Sequence, residues 1–222
     1  SRLHPSLSQA LDEKGWKPTP VQENVLPEVM KGDDRLIIAP TGSVKTMAGI
    51  LPLFHRCLSE GWPSLSILYI TPLRALNRDV DRRLQELASA VGLRVDVRHG
   101  DTTQAQRAKQ TRKPPNLLVT TPETFQLMFS GKNLRAMLSS VQAVVVDEVH
   151  DLAASERGWQ LGVGLARLEA LAGRTVQRLG LSATVGNPDA VAEWLSPGKA
   201  KPLITTGPVS YTHLRAHETS TY

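Results

Sequence analysis

Leu36-Ile-Ile-Ala-Pro-Thr-Gly-Ser-Val-Lys-Thr46 is the stretch of the chain that decides its fold. An apolar run at its start leads into a turn with proline and glycine, and a segment compatible with a helix follows from Met47 to Leu58. A strand, a loop and a helix in this order form the setting of a phosphate-binding loop, in which backbone N–H groups and the helix N-terminus surround phosphate oxygens. In such a loop Lys45 would reach the β- and γ-phosphates of a nucleotide, and the Thr46 hydroxyl would hold Mg²⁺.

The loop departs from the full pattern G-x-x-x-x-G-K-[ST] at two positions. Ala39 and Val44 stand where that pattern has glycine. Ala39 adds only one methyl group, but Val44 brings a β-branched side chain to a place where the backbone has to approach the phosphates closely. We expect Val44, as a loop residue, either to clash with a nucleotide or to force a costly backbone conformation. The nucleotide site is therefore predicted from the order of strand, loop and helix around the motif, because the sequence does not match the full glycine pattern.

Composition and charge set the broad class of protein. The 222 residues are 41% hydrophobic, which is enough for a core, and a formal net charge of +5 suits an anionic partner. The single cysteine, Cys57, excludes an internal disulfide and fits a reducing compartment. Every apolar stretch falls short of the ~20 residues of a membrane span. We therefore expect a soluble, cytoplasmic protein without a membrane segment.

Short apolar runs alternate with helix-compatible segments along the chain. The predicted strands are 36–39, 66–71, 94–98, 116–120, 142–146, 176–181 and 201–205. The predicted helices are 22–31, 45–59, 75–91, 103–111, 123–130, 159–172 and 188–195. This alternation predicts an α/β fold, in which a mostly parallel sheet has helices on both faces. We expect residues 1–208 to form one domain.

A second motif that supports the nucleotide site is Val144-Val-Val-Asp-Glu-Val-His-Asp151, where a buried strand is predicted to end in two carboxylates. Asp147 would hold Mg²⁺, directly or through water, and Glu148 would orient and deprotonate an attacking water. A zinc site at His150 is a poor alternative, because no second histidine or cysteine lies at ligand spacing. Together with the phosphate loop, the two acids predict nucleotide hydrolysis.

Two strand ends carry the dipeptide Thr-Pro, at Thr71 and at Thr121. The carboxyl ends of parallel strands share the edge that binds ligands in open α/β sheets, so these ends could each hold a phosphate of one nucleic-acid strand. Arg74 and Arg78 are four residues apart, and a helix opening near Pro72 would place both on one face. The alternative is a pair of ordinary helix starts beside a solvated basic face.

Residues 98–113 hold much of the positive excess of the chain, with Asp101 as their one acid. The strand before them ends in His99-Gly-Asp-Thr102, where Asp101 or Thr102 is a plausible N-cap. Gly100 would let a phosphate approach the backbone closely. A plain basic surface is the alternative.

Gln22 and the pair Ser182 and Thr184 are further candidates, because of where they lie relative to the predicted strands and helices. Gln22 opens a predicted helix before the phosphate loop, and its amide can both donate to and accept from an adenine edge. The alternative is a surface glutamine. Ser182 and Thr184 follow another strand and could hydrogen-bond His150, linking the nucleotide site to the rest of the protein; the alternative is an ordinary turn.

The order of these motifs resembles that of a known family. Gln22, APTGSVKT, TPLRAL, RHGDT, TTPET, DEVH and LSAT are similar to the first RecA-like lobe of a superfamily 2 helicase of the DEAD/DEAH type. The segments RHGDTTQAQRAK and DEVHDLAASERGWQL are most similar to the large helicase-related (Lhr) family of DNA helicases. The resemblance covers roughly residues 5–205. It implies a RecA-like P-loop fold, ATP and Mg²⁺ as cofactors, and ATP-driven 3′-to-5′ translocation on a single strand.

The resemblance also implies roles for individual residues. Nucleotide contacts fall to Gln22, Ala39, Pro40, Thr41, Gly42, Ser43, Val44, Lys45 and Thr46. Catalysis falls to Lys45, Asp147, Glu148 and His150, with Thr46 and Asp147 on the metal. Coupling between lobes falls to Ser182, Ala183 and Thr184. Nucleic-acid contacts fall to Pro72, Arg74, Gly100, Asp101, Thr102, Thr121, Pro122 and Glu123.

Three departures from the family limit these expectations. Val44 replaces the loop glycine, so a nucleic-acid-binding module with a disabled nucleotide loop is the alternative function. A third alternative, an unrelated P-loop phosphotransferase, does not explain the two Thr-Pro strand ends together with Ser182-Ala-Thr184. The sequence shows no second RecA-like lobe and no arginine finger, so we expect this chain not to unwind its partner, single-stranded or tailed duplex DNA, with RNA as an alternative. Residues 209–222 resemble neither a linker nor a domain start, and we expect them to be a disordered or foreign tail.

Overall fold

The computed structural model describes residues 2–39, 43–183, 185–199 and 201–204. The strands are β1 Arg35–Ile38, β2 Ile67–Ile70, β3 Val95–Arg98, β4 Leu117–Thr120, β5 Ala143–Val146, β6 Gln177–Ser182 and β7 Lys201–Ile204. The α-helices are α1 Pro5–Glu13, α2 Pro20–Met30, α3 Ser43–Glu60, α4 Arg78–Ala90, α5 Gln104–Arg112, α6 Pro122–Leu127, α7 Lys132–Leu138, α8 Val149–Leu152, α9 Glu156–Ala172 and α10 Pro188–Leu195.

The strands form one sheet in the order β3-β4-β2-β5-β6-β1-β7, and all of its pairings are parallel. The predicted α/β fold with a parallel sheet is confirmed. From β1 the chain crosses β6 and β5 to reach β2, so the strand order reverses in the middle of the sheet. In open parallel sheets, ligands bind outside the carboxyl ends of the strands at such a switch. Ala39 at the end of β1, Lys45 in the first turn of α3 and the acids after β5 lie at this edge.

Apolar side chains cover both faces of the sheet. On one face the helices α1, α2, α3 and α4 pack against the strands, and on the other face α6, α7, α9 and α10 do so. Every residue of β5 is fully buried, as its continuously apolar sequence predicts. The sheet is therefore a rigid platform for the loops at its carboxyl edge.

Three helices were not predicted from the sequence: α1, α7 and α8. They have nine, seven and four residues, but α5 and α6 are similarly short and were predicted, so length alone does not explain the omission. Packing decides them instead, since Leu7 of α1 and Leu138 of α7 are fully buried. Cys57 is also buried, and burial raises the pKa of its thiol, as expected for an inert cysteine.

Two predicted helix starts are wrong. After β2 the chain makes a 3₁₀ turn at Leu73–Ala75, and α4 begins only at Arg78, capped by the side chain of Asn77. Arg74 and Arg78 therefore do not share a helix face. The residue that caps α5 is Thr103, because its hydroxyl and the side chain of Gln106 form a reciprocal capping box.

Val44 also differs from expectation. It lies in the first turn of α3 and not in a loop. Among the described non-glycine residues only Glu148 has a positive φ, so Val44 carries no backbone strain of that kind. Of the two effects expected for Val44, the costly backbone conformation is therefore absent, and a clash of its side chain with a nucleotide stays a prediction.

Some predictions lie outside the described residues: those for Pro40, Thr41, Gly42, Thr184 and the tail 209–222. Within the described ranges, none of the helices is long and apolar enough to cross a membrane.

Candidate active site

A buried lysine and two carboxylates meet at the carboxyl edge of the sheet. Lys45, in the first turn of α3, lies 2.7 Å from Glu148 Oε1 and 3.1 Å from Asp147 Oδ1. The side chains of Lys45 and Asp147 are each 4% exposed. Burial by itself would lower the pKa of Lys45, but the two carboxylates outweigh it and raise that pKa above its usual value. Lys45 therefore carries its positive charge here.

Tyr69 connects the two predicted metal ligands. Its hydroxyl donates to Asp147 Oδ2 at 2.9 Å and lies 3.1 Å from Thr46 Oγ1. Because a phenol has only one proton, the Thr46 hydroxyl is the donor in the second hydrogen bond. Thr71 adds a hydrogen bond of 3.2 Å to the same Asp147 oxygen. Burial, followed by the charge of Asp147, raises the pKa of Tyr69 well above its usual value, so the phenol keeps its proton.

Glu148 stands at a sharp corner between β5 and α8. Its backbone is left-handed, with φ 52° and ψ 37°, which is rare for a residue with a side chain. Its N–H donates to Asp147 Oδ1 at 2.9 Å, which stabilises the corner. The corner points its carboxylate back towards Lys45 on one side and towards His150 Nε2, 3.4 Å away, on the other.

His150 links this corner to β6. Its Nδ1 lies 2.8 Å from the hydroxyl of Ser182, so the hydrogen bond expected from the sequence is present. Ala183 follows at the strand end, and its carbonyl accepts a hydrogen bond from Ser182. Asp151 Oδ1 is 3.5 Å from His150 Nε2. The imidazole of His150 therefore lies between Ser182 at the end of β6 and the carboxylate of Glu148.

Gln22 contacts Val44 at the start of α3, and both ends of its amide are already engaged. Its Oε1 accepts from the backbone of Thr19 in a capping box, and its Nε2 donates to the carbonyl of Val44 at 3.2 Å. A pocket opens next to these residues and is lined by Trp16, Thr19, Gln22, Val44 and Met47 among others. An aromatic face and an amide beside the loop are suited to a flat, polar ring. Ala39 is buried at the end of β1, and Ser43 is the first residue of α3.

The two Thr-Pro strand ends lie next to each other, because β2 and β4 are paired. Thr121 caps α6, accepting a hydrogen bond from the N–H of Thr124, and Pro122 is the first residue of that helix. Glu123 forms an ion pair of 2.7 Å with Arg157. The structure thus brings these positions to one edge of the sheet, as the sequence predicts.

The remaining predicted nucleic-acid contacts extend this edge. Arg74 is 79% exposed and lies 3.6 Å from Asp151. The turn of Gly100 and Asp101 is closed by Thr102, whose hydroxyl accepts from the N–H of His99. Arg107 donates to the carbonyls of both His99 and Thr102, which stiffens the turn.

Sequence reasoning missed Tyr69 and Trp16 as parts of the site, and it assigned Thr71 to the nucleic-acid edge rather than to a contact with Asp147. One signal was present for Tyr69, which is the one polar residue in the strand Ile67-Leu-Tyr-Ile70. A buried tyrosine usually finds a partner for its hydroxyl. The sequence does not say that this partner would be Asp147, 78 residues away.

Comparisons with known proteins identify the family of this chain. The family model for DEAD/DEAH box helicases matches residues 19–191. Lhr helicase/uracil glycosylase of Escherichia coli is 38% identical over 218 aligned residues, covering 89% of this chain and 14% of that protein. ATP-dependent helicase Lhr-Core of Methanothermobacter thermautotrophicus is 36% identical, covering 88% of this chain and 24% of that protein. The chain thus spans less than a quarter of the length of these relatives.

A solved structure supports the same relationship. The helicase Lhr of Mycobacterium smegmatis, bound to single-stranded DNA and AMP-PNP, superposes with a TM-score of 0.82 at 36% identity, over 94% of this chain and 28% of that chain. The DEAD-box helicase Mss116, at 19% identity and a TM-score of 0.78, shares the fold.

Proposed function

The chain belongs to the DEAD/DEAH box helicase family, and from this premise we propose that it is the ATP-binding lobe of a DNA helicase of the Lhr type. The observation that carries the proposal is the contact of Lys45 with both Asp147 and Glu148 at the carboxyl edge of the sheet. A lysine after the β1 loop and two acids after the buried strand β5, which only β6 separates from β1, are the parts from which nucleotide hydrolysis is built.

The donor set fits Mg²⁺. Thr46 and Asp147 offer a hydroxyl and a carboxylate oxygen, the hard ligands that this ion prefers, and Tyr69 already holds them together. When bound, the ion would neutralise charge on the β- and γ-phosphates. The Thr46 proton points to Tyr69, which leaves the lone pairs of its oxygen free for a ligand.

Lys45 would exchange partners when ATP binds. Without nucleotide it is neutralised by the two carboxylates, and a γ-phosphate arriving at the loop would compete for the same ammonium. Glu148 would then be released from Lys45 to orient and deprotonate the attacking water. His150, between Glu148 and Ser182, would report this change to β6 and from there to a second lobe.

The strand would bind along the Thr-Pro edge. Nucleic-acid contacts are expected at Pro72, Arg74, Gly100, Asp101, Thr102, Thr121, Pro122 and Glu123, with DNA favoured by the Lhr relatives and RNA as the alternative. Translocation from 3′ to 5′ requires a second lobe that grips the strand in turn. We therefore propose that this lobe by itself binds without unwinding.

Nucleotide titration tests the proposal. Calorimetry with ATP should show binding that strengthens when Mg²⁺ is added, and Lys45→Ala should remove most of it. In a chain extended with a second lobe, Glu148→Gln should abolish hydrolysis and keep ATP binding, whereas Glu13→Gln, a matched carboxylate-to-amide change on α1 away from the site, should keep both. Binding of a DNA strand with no detectable nucleotide binding would favour the alternative, a module disabled by Val44.

A further inference from the structure

Arg98, the last residue of β3, is a buried arginine without an acidic partner. It is 5% exposed, and its Nε has no hydrogen-bond partner. One of its terminal nitrogens lies 3.4 Å from the amide oxygen of Gln110, which is a long and neutral contact. None of the carboxylates in the described part of the chain forms an ion pair with it. Its charge is therefore buried and uncompensated, which is costly.

Arg35 shows what a structural arginine looks like in the same sheet. It is 6% exposed and its Nε also has no hydrogen-bond partner, as in Arg98, but its guanidinium lies 2.9 Å from both Glu28 and Asp33. The fold thus supplies acids where it buries a guanidinium for stability. The absence of such acids at Arg98, among the described residues, points to a partner that the chain itself does not provide.

A pocket between α5 and α7 surrounds Arg98 with further donors. It is lined by Arg98, Gln104, Arg107, Thr111, Lys132 and Asn133 together with small and apolar residues, and no acid lines it among the described residues. The acid nearest on the strand, Asp96, lies in other pockets with Lys109. Burial and then the nearby Arg107 lower the pKa of Arg98, which reflects the same uncompensated charge.

A second buried polar atom lies beside Arg98. Thr120 is its neighbour in register on β4, and the hydroxyl oxygen of Thr120 is buried without a hydrogen-bond partner. Side chains at paired positions of adjacent parallel strands project to the same face. Two buried polar atoms without a hydrogen-bond partner, Arg98 Nε and Thr120 Oγ1, thus belong to side chains on the same face of adjacent strands, although native proteins pair most of their buried polar atoms.

We propose that the pocket between α5 and α7 is an anion site, in which Arg98, Arg107 and Lys132 bind one phosphate group. The phosphate belongs either to a nucleic-acid strand that passes beyond the Thr-Pro edge or to a free phosphate compound. The site is separate from the nucleotide site, because its residues come from β3, α5 and α7 rather than from β1, α3 and β5.

Thermal unfolding in inorganic phosphate tests the proposal, with chloride adjusted to keep the ionic strength constant. The phosphate loop also binds phosphate, so the reference chain carries Lys45→Ala, which weakens that contribution. Phosphate should still raise the Tm of this chain, and adding Arg98→Met should remove the rise. The apparent phosphate affinity should weaken at least about tenfold, as expected when a charged hydrogen-bond partner is lost.

The Tm in chloride alone separates a binding role from a structural one. Arg98→Met should not lower it, because the change removes an uncompensated buried charge. Arg35→Met is the matched control and should lower it clearly, since it leaves Glu28 and Asp33 without their partner. An equal fall for Arg98→Met, or a phosphate-dependent rise that survives Arg98→Met in the Lys45→Ala chain, would overturn the proposal.

Binding of a short oligo(dT) identifies the source of the phosphate. If Arg98→Met weakens oligo(dT) binding and lowers its salt dependence by about one counterion, the phosphate belongs to the strand. If oligo(dT) binding is unchanged while the phosphate-dependent rise is lost, the site takes a free phosphate compound. Because neither measurement uses ATP, the result is independent of whether the chain binds a nucleotide.

Discussion

The Tyr69 hydroxyl donates a hydrogen bond of 2.9 Å to Oδ2 of Asp147. The same hydroxyl accepts from Thr46, so one phenol fixes the hydroxyl and the carboxylate that are expected to hold Mg²⁺. Side chains that hold metal ligands in position often matter nearly as much as the ligands. We regard Tyr69 as a positioning residue for the metal.

Tyr69→Phe should weaken the Mg²⁺-dependent part of nucleotide binding. The ring still fills the core, so the free energy of unfolding should fall by only about 1–3 kcal/mol, the cost of leaving buried partners unpaired. Calorimetry with ADP, with and without Mg²⁺, measures the effect. Thr71→Val is the control, because it removes a hydrogen bond to Asp147 without touching Thr46. Equal weakening of ADP binding in the presence and absence of Mg²⁺ would argue against a positioning role.

Val44→Gly should strengthen Mg·ATP binding several-fold, because it removes a β-branched side chain that lines the pocket next to Gln22. Since Val44 lies in the first turn of α3, glycine should also cost up to about 1 kcal/mol of stability. Calorimetry and thermal unfolding of the two chains check both effects. Val44→Ala separates the effect on affinity from the effect on stability, because alanine shortens the side chain and keeps a good helix former. A similar rise in Mg·ATP affinity with alanine would assign that rise to the loss of the valine side chain. Unchanged affinity in both variants would show that Val44 does not hinder the nucleotide.

Arg74→Ala should weaken the binding of all single strands about equally and should reduce the salt dependence by about one counterion. Its side chain is exposed and its ion pair with Asp151 is long, so the melting temperature should hardly change. Fluorescence anisotropy with strands of different base composition is the measurement. Arg82→Ala is the control, because Arg82 pairs with Asp79 and Glu86 on the surface of α4. A loss that depended on base composition would contradict a phosphate contact.

His55 should make the protein less stable in mild acid. Burial, followed by the charges of His4 and Arg56, lowers the pKa of His55, although Glu60 opposes the shift. The unfolded chain therefore takes up the proton first. The stabilising contribution is fully present above about pH 6.5 and is lost as the pH falls from there through the lowered pKa.

His55→Asn should flatten the pH dependence of the melting temperature over this range. Asparagine keeps an acceptor for the N–H of His4, which now donates to His55 Nδ1 at 2.8 Å, but it does not titrate. Melting curves from about pH 7 to pH 5 compare the two chains. Parallel curves would show that another group is responsible.

The sequence by itself determined the class of fold and the position of the site. Apolar runs of strand length alternate with helical segments, and this local pattern is enough to predict a parallel sheet with helices on both faces. Lys45 follows one strand and Asp147 another, and the carboxyl ends of parallel strands share an edge. These inferences need only the periodicity of the side chains and the order of the elements, both of which are local properties.

The tertiary structure decided which side chains meet. Strand order places β2 beside β5, and this brings Tyr69 to Asp147; the register of β3 and β4 places Arg98 beside Thr120. The tertiary structure also places Val44 in the first turn of α3 rather than in a loop. Hydrogen bonds and buried charges depend on distances between residues far apart in the chain, and those distances follow from strand order, register and packing rather than from any local pattern.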